Sequence, residues 1–239
     1  MAMASLVAAG LLAGCTTTQH QAQRMQIDSA RERAAVLTTK VTSANPLVSA
    51  SVAGSVTGPV AGRLETALIV AVHNASHRAV TDLPISVGYS LPGKRRVYLN
   101  SPAGLDYFEA HLPAIFAGQS RIWVYTTDRS LPKAARLFAL VGRKASVPAL
   151  VSEPNVRIAV TVARAAEGKL RIALRNSTSV PQYQLQLYAY AKRAGRYVAA
   201  GNATVTDLGA GSHQSLPLPL VGSSQGAAVQ VEAIPTILQ

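Results

Sequence analysis

Apolar and polar residues alternate along much of the chain beyond residue 45. Val48, Ala50 and Val52 alternate with serines, and residues 83–89 repeat the same period of two. Residues 64–72 form a longer, mostly apolar strand pattern that is interrupted at Asn74. A period of two places alternate side chains on one face of a strand. Such segments, separated by Asn, Gly and Pro, predict an antiparallel β-sandwich or barrel.

The strand pattern occurs twice, with an offset of about 102 residues. Each copy is near 100 residues long and contains about seven short strands, the size of an immunoglobulin-like domain. The first copy is longer, because it carries an insertion at 102–112. The matched segments are 46–52 with 154–162, 62–76 with 168–178, Leu83 and Ile85 with Leu185 and Leu187, Val87 with Tyr188 as a candidate, and 118–125 with 211–216.

We therefore predict an all-β protein of two tandem antiparallel immunoglobulin-like β-sandwiches. The first domain is expected at 45–150 and the second at 151–239. The linker is expected near 146–154, where two prolines occur and long apolar runs are few.

The N-terminal segment, residues 2–14, is apolar but short. Thirteen helical residues span about 20 Å, less than the roughly 30 Å of a bilayer core, which favours a secretory signal over a membrane span. It ends in Leu12-Ala13-Gly14-Cys15, which resembles the lipobox of bacterial lipoproteins. The resemblance implies that residues 1–14 are a signal peptide, that diacylglycerol is added to the Cys15 thiol, and that Cys15 becomes the first mature residue. Two or three acyl chains would anchor the protein stably.

Cys15 is also the single cysteine of the chain. A disulfide within the chain and a thiolate metal site are therefore both excluded. The thiol is best explained by the targeting segment in which it lies.

Residues 15–44 are predicted to be a partly helical tether that ends at Asn45-Pro46. One narrow apolar stripe at helical spacing could pack on a domain, pair weakly with another helix, or lie on a membrane surface. The stripe consists of Ile27, Ala30, Ala34, Leu37 and Val41.

A second resemblance rests on the strands that follow the Asn-x-Ser/Thr triplets. Leu185-Gln186-Leu187-Tyr188-Ala189 is similar to the signature of the small bacterial sandwich domains of the FxLYD type, although Phe and Asp of the signature are replaced. Residues 85–89 of the first copy match it less well. The resemblance covers about 30 residues per copy and implies an extracytoplasmic binding or spacer module. The triplets at Asn74, Asn176 and Asn202 are interpreted as turn chemistry that needs no glycan.

The formal charge of +12, from 23 basic and 11 acidic side chains, is spread over the chain. Its one dense run, Lys94-Arg95-Arg96, lies between two predicted strands and is expected at an exposed hairpin tip. These three residues are candidates for contact with an anionic partner such as lipid headgroups or glycans. The alternative is a solvated basic surface with no dedicated partner. Nucleic acid is disfavoured, because few aromatic residues interleave the basic ones and secretion removes the usual target.

The insertion at 102–112 supplies the candidate ligand loop, because loops on a rigid sandwich carry function disproportionately. The alternative is a cover for an exposed strand edge. The candidate residues are Asp106, Tyr107, Phe108, Glu109 and His111.

Motifs for catalysis or cofactor binding do not stand out. The Gly-x-Ser-x-Gly spacing is missing around Ser55 and Ser212, and Gly93-Lys94 lacks the other P-loop positions. His73 and His77 lie on a strand and turn, so they need not converge on a metal. No catalytic residue, metal or cofactor is therefore expected.

The leading hypothesis is a non-enzymatic, membrane-anchored lipoprotein of the cell envelope, extracytoplasmic and facing the periplasm if the organism has two membranes. It would bind or space a protein or an anionic polymer. One alternative is a structural subunit of an envelope secretion or transport assembly. The other is a hydrolase with an unrecognised site on the 102–112 loop.

Overall fold

The computed structural model describes residues 18, 20–29, 40–143, 158–166 and 169–237. Within these ranges the protein is all-β, as the alternation predicts, apart from a helix at 20–29 and a 3-10 turn at Tyr107–Glu109. The first seven strands are β1 Val48–Val60, β2 Arg63–Asn74, β3 Val80–Ser90, β4 Val97–Tyr98, β5 His111–Ile115, β6 Ser120–Thr127 and β7 Arg136–Val141. The next seven are β8 Ile158–Ala166, β9 Lys169–Asn176, β10 Gln182–Arg193, β11 Arg196–Leu208, β12 His213–Pro219, β13 Val221–Gly222 and β14 Ala228–Ile234.

The strands form two units, each with two antiparallel sheets. In the first unit, β1–β7, one sheet has the order β1-β2-β6, and the other is built on β3, which pairs with β4, β5 and β7. In the second unit, β8–β14, the sheets have the orders β12-β9-β8 and β13-β11-β10-β14. Every described strand pair joins two members of the same unit.

The two units repeat the same register. His73 of β2 pairs with Ser120 of β6, and Arg175 of β9 pairs with His213 of β12. Each pair lies beside a fully buried asparagine, Asn74 in the first unit and Asn176 in the second. The repeat detected in the sequence is therefore a repeat of strand pairing.

Asn74 connects the end of β2 to the opposite sheet. Its amide nitrogen lies 2.7 to 3.2 Å from three main-chain carbonyl oxygens, those of Arg78, Ile115 and Phe116. Its amide oxygen accepts hydrogen bonds from the backbone N–H and the hydroxyl of Ser76. Because buried main-chain carbonyls are costly to leave unpaired, this side chain closes the turn.

Asn176 makes the same set of contacts in the second unit. Its amide nitrogen lies 2.8 to 3.3 Å from the carbonyl oxygens of Val180, Leu208 and Gly209. Its amide oxygen accepts from the backbone N–H and the hydroxyl of Thr178. The triplets at Asn74 and Asn176 are thus turn chemistry, as predicted, and the third residue of each orients the asparagine. The same interpretation is wrong for Asn202, which lies inside strand β11 and pairs with Tyr188 of β10.

The two units share a continuous apolar core. We call the region in which the units meet the seam. Residues 66–70 of β2 are buried on both faces, because one face covers the first unit and the other contacts the second. Five residues of the second unit belong to the same buried cluster as the core of the first: Tyr188, Tyr190, Ala200, Val221 and Ile234.

Strand β6 crosses three strands of the second unit at the seam. Three contacts mark the crossing: Arg121 Nη1 to Glu232 Oε2 of β14 at 3.8 Å, Trp123 beside Tyr188 of β10, and Thr126 Oγ1 to Asn202 Oδ1 of β11 at 3.3 Å.

Two glycines allow a close backbone approach in the seam. A Cβ on Gly58 would lie 2.8 Å from the backbone nitrogen of Gly222, so β1 and β13 touch where neither has a side chain. A Cβ on Gly54 would lie 2.8 Å from the Tyr197 ring. Gly58 does not have the positive φ that favours glycine. The lack of space for a Cβ is therefore what requires glycine at this position.

The C-terminal end of the tether packs on the outer face of the β3 sheet. The backbone N–H of Val41 donates to the Ser86 hydroxyl at 2.9 Å, and the Val41 side chain is buried. The Asn45 backbone N–H donates to the Val141 carbonyl at 2.7 Å. The helix at 20–29 places the Arg24 guanidinium 4.9 Å from the centre of the Tyr183 ring. The sequence left open whether the apolar stripe of the tether packs on a domain, on another helix or on a membrane. Val41 of the stripe packs on the first unit. Residues 30–39 of the tether lie outside the described residues.

Candidate interaction surface

The 102–112 loop is organised by its own carboxylates. The Asp106 carboxylate caps the 3-10 turn Tyr107–Glu109 by accepting from the Phe108 backbone N–H at 3.2 Å. The Glu109 carboxylate accepts from the Asp106 backbone N–H at 2.9 Å, which completes a capping box. Burial raises the pKa of Glu109, and the hydrogen bond from Asp106 partly opposes that shift. Both carboxylates therefore contribute to the shape of the loop.

Tyr107 and His111 stack at the edge of the same loop. Their rings are 4.0 Å apart and nearly parallel, and His111 Nδ1 lies 3.0 Å from the Tyr107 carbonyl oxygen. The Tyr107 hydroxyl donates to the carboxylate of Asp82, which is on β3. Phe108 is buried. The five candidate residues are brought together, and the described contacts fix the loop against β3 and the core.

The loop also lies near the seam. Burial raises the pKa of the Tyr188 hydroxyl at the seam, and the Asp106 carboxylate of the loop adds to that shift. The Trp123 indole N–H lowers it, although the two groups do not have the geometry of a hydrogen bond. The alternative, in which the insertion covers a strand edge, stays a prediction.

Lys94, Arg95 and Arg96 lie on the exposed loop that joins β3 to β4, where the sequence predicts a hairpin tip. The loop begins with a turn in which the Lys94 backbone N–H donates to the Leu91 carbonyl at 3.0 Å. The Arg96 guanidinium lies 5.2 Å from the centre of the Phe138 ring.

Residues distant in sequence add to this tip. The Phe138 ring packs edge-to-face on Tyr98, with ring centres 5.2 Å apart, and Lys40 Nζ lies 4.7 Å from the Tyr98 ring centre. Exposed Arg136 pairs in register with Ser90, the last residue of β3. We name the whole surface the basic–aromatic patch: Lys40, Lys94, Arg95, Arg96 and Arg136 around Tyr98 and Phe138. A run of three basic residues predicts its centre, whereas Lys40 and Arg136 carry no local signal.

A cavity of about 160 Å³ lies under the β6–β7 loop at the end of the β1-β2-β6 sheet. Its lining includes Thr57 and Thr66, whose hydroxyls are 3.0 Å apart, together with Leu64 and Arg129. Sites for small organic ligands usually measure about 300 Å³ or more. The cavity therefore gives no reason to propose a substrate site.

Cys15 lies outside the described residues, so its lipidation stays a prediction. Among the described residues, no group of three His, Cys, Asp or Glu side chains could hold a metal ion. His73 Nδ1 lies 3.0 Å from the Ser120 hydroxyl. In the part of the chain that the structure covers, no helix is long and apolar enough to span a bilayer.

No protein-family model matches the chain, and none of the curated proteins is detectably similar to it.

Proposed function

We propose that the protein is a non-enzymatic lipoprotein of the bacterial cell envelope, held outside the cytoplasm by acyl chains on Cys15. Its two β units act together as a binding or spacer module for a protein or an anionic polymer. The observation that carries the spacer role is the seam, in which Tyr188, Tyr190 and Ile234 of one unit complete the core of the other.

The seam supports a spacer because it restrains the angle between the units. Domains joined only by a linker move relative to each other by default, unless their interface is large and apolar. Here Trp123 and Tyr188 are buried together, and Gly58 and Gly222 touch through their backbones. A module of this kind holds a bound partner at a fixed distance from its anchor.

The non-enzymatic part of the proposal rests on the 102–112 loop. Asp106 and Glu109 carry the carboxylates that a hydrolase could use, and both bind backbone N–H groups of the loop. Tyr107 donates to Asp82 and stacks on His111. These contacts favour a loop whose polar groups maintain its fold.

The anchor is tested by metabolic labelling of the full chain with palmitate in a bacterial host. We expect label in the native protein and none in Cys15→Ser. Because Cys15 is the single thiol, the substitution removes every cysteine acylation site. Equal labelling of both proteins, or of neither, would contradict the proposal.

A further inference from the structure

The basic–aromatic patch occupies the outer face of the β3 sheet, on the side away from the second unit. Gly88 lies between Tyr98 and Phe138 in the strand register, and a Cβ there would lie 2.8 Å from Phe138 Cζ. The glycine therefore lets the two rings meet, with Lys40 over one ring and Arg96 over the other. Cation–π contacts fix both positive charges on this face.

The patch is free of opposing charge along the segments that build it. Residues 33–64, 83–105 and 129–152 contain neither Asp nor Glu. The five patch cations belong to these three segments. A surface cluster with one sign of charge attracts anions over about one Debye length, roughly 10 Å at moderate salt.

The tip also presents apolar area to solvent. Val97, directly after Arg96, is 37% exposed on the two-residue edge strand β4, and the half-buried Tyr98 follows it. A bilayer interface accommodates basic, aromatic and aliphatic groups together, because anionic headgroups lie beside acyl chains. A soluble anionic polysaccharide offers no acyl-chain region for Val97. Lys40 of the patch is 25 residues from Cys15 along the chain, so an anchor on Cys15 would keep the patch within reach of the same membrane.

From this arrangement we propose that the basic–aromatic patch docks the protein on the surface of an anionic phospholipid bilayer. The Lys94-Arg95-Arg96 loop meets the headgroups, and Val97 enters the interface between them. The inference goes beyond the proposed function, because docking by the patch does not require acylation of Cys15. The two can therefore fail separately.

The test uses the full chain carrying Cys15→Ser, mixed with phosphatidylcholine vesicles that either contain or lack phosphatidylglycerol. We expect sedimentation with the anionic vesicles that weakens at high salt. Retention on the neutral vesicles measures the contribution of the apolar residues 2–14. One basic residue near an anionic surface changes affinity about fivefold, so Lys94→Gln, Arg95→Gln and Arg96→Gln together should weaken binding on the order of a hundredfold.

A matched control changes three exposed arginines of the second unit, Arg171→Gln, Arg175→Gln and Arg196→Gln, which remove the same net charge. We expect this control to retain most of the binding. Val97→Thr preserves shape and should weaken binding to anionic vesicles, whereas it should leave binding to a soluble anionic polysaccharide unchanged. An equal loss of vesicle binding in both triple variants would show that net charge alone accounts for the binding, and it would overturn the proposal. Loss of polysaccharide binding with vesicle binding intact would overturn it in favour of a polymer partner.

Discussion

Strands β2 and β9 hold the same place in their units, yet β2 is buried on both faces and β9 on one. Ile69 and Arg171 both stand five residues before the buried asparagine of their strand, and Ile69 is fully buried whereas Arg171 is exposed. His73 and Arg175 also hold equivalent positions, one residue before the asparagine, and both are exposed. The inner faces repeat because both units need a core. The outer faces differ because only one of them covers a neighbour.

The sheets that contain β3 and β10 also differ in what covers their outer faces. Ser86 of β3 and Tyr188 of β10 are equivalent, and both are buried on the outer face. The small serine is covered by the tether at Val41, whereas the large tyrosine is covered by Trp123 of the other unit. The two units have the same strand arrangement, so a few outward-facing side chains determine which face of each unit packs against the other.

The largest expected effect comes from giving β2 the residue of β9. Ile69→Arg would bury an unpaired charge in the seam and should lower the free energy of unfolding by about 3–5 kcal/mol. Arg171→Ile, on the exposed face, should change it by less than about 0.5 kcal/mol. Urea unfolding of the two variants measures both values. A similar cost for both substitutions would mean that the seam does not stabilise the protein.

Removing the buried asparagines tests whether the repeated contacts of the two units stabilise the protein equally. Asn74→Ala and Asn176→Ala each leave buried carbonyl oxygens without a donor, and each should cost about 2–4 kcal/mol. Asn202→Ala, which removes one hydrogen bond of 3.3 Å at a half-buried residue, should cost about 1 kcal/mol or less. Thermal unfolding compares the three. A cost for one buried asparagine close to that of Asn202 would show that the repeated contacts are not equivalent in energy.

A smaller effect is expected from filling the space between the units. Gly58→Ala brings a methyl group against the backbone of Gly222, and separating β1 from β13 should cost about 1–3 kcal/mol. In Gly209→Ala the nearest atom would be the Ser212 hydroxyl oxygen at 3.7 Å, so its stability should stay within about 0.5 kcal/mol of the original. Equal unfolding midpoints for the two variants would contradict a close approach at the seam.

Much of the strand order could be predicted, because alternation and repeated Asn and Gly positions are local signals. Gly118 and Gly211, and Asn74 and Asn176, were matched as the strand registers have them. The match of 46–52 with 154–162 was wrong by two residues, since Ile158 pairs with Asn176 as Val48 pairs with Asn74. A shift of two residues preserves alternation, so the pattern alone cannot detect it.

The seam and the full patch could not be predicted in this way. Tyr188 was matched with Val87, but its equivalent is Ser86, on the opposite face. An aromatic residue in a mostly apolar strand has no local signal for which of two cores it joins. The continuous apolar run in β2 did carry a signal, because strands buried on both faces lack alternation. Lys40 and Phe138 meet the 94–96 loop only through the tertiary fold.

The buried asparagines also determine which hosts suit production of the protein. Asn74-Ala75-Ser76 and Asn176-Ser177-Thr178 both match the acceptor triplet for N-linked glycans. Both amide groups are enclosed, with their nitrogens against main-chain carbonyl oxygens. A sugar transferred to either nitrogen before folding would prevent the turn from closing. We therefore expect a lower yield of folded protein from eukaryotic secretory expression than from a host without this modification.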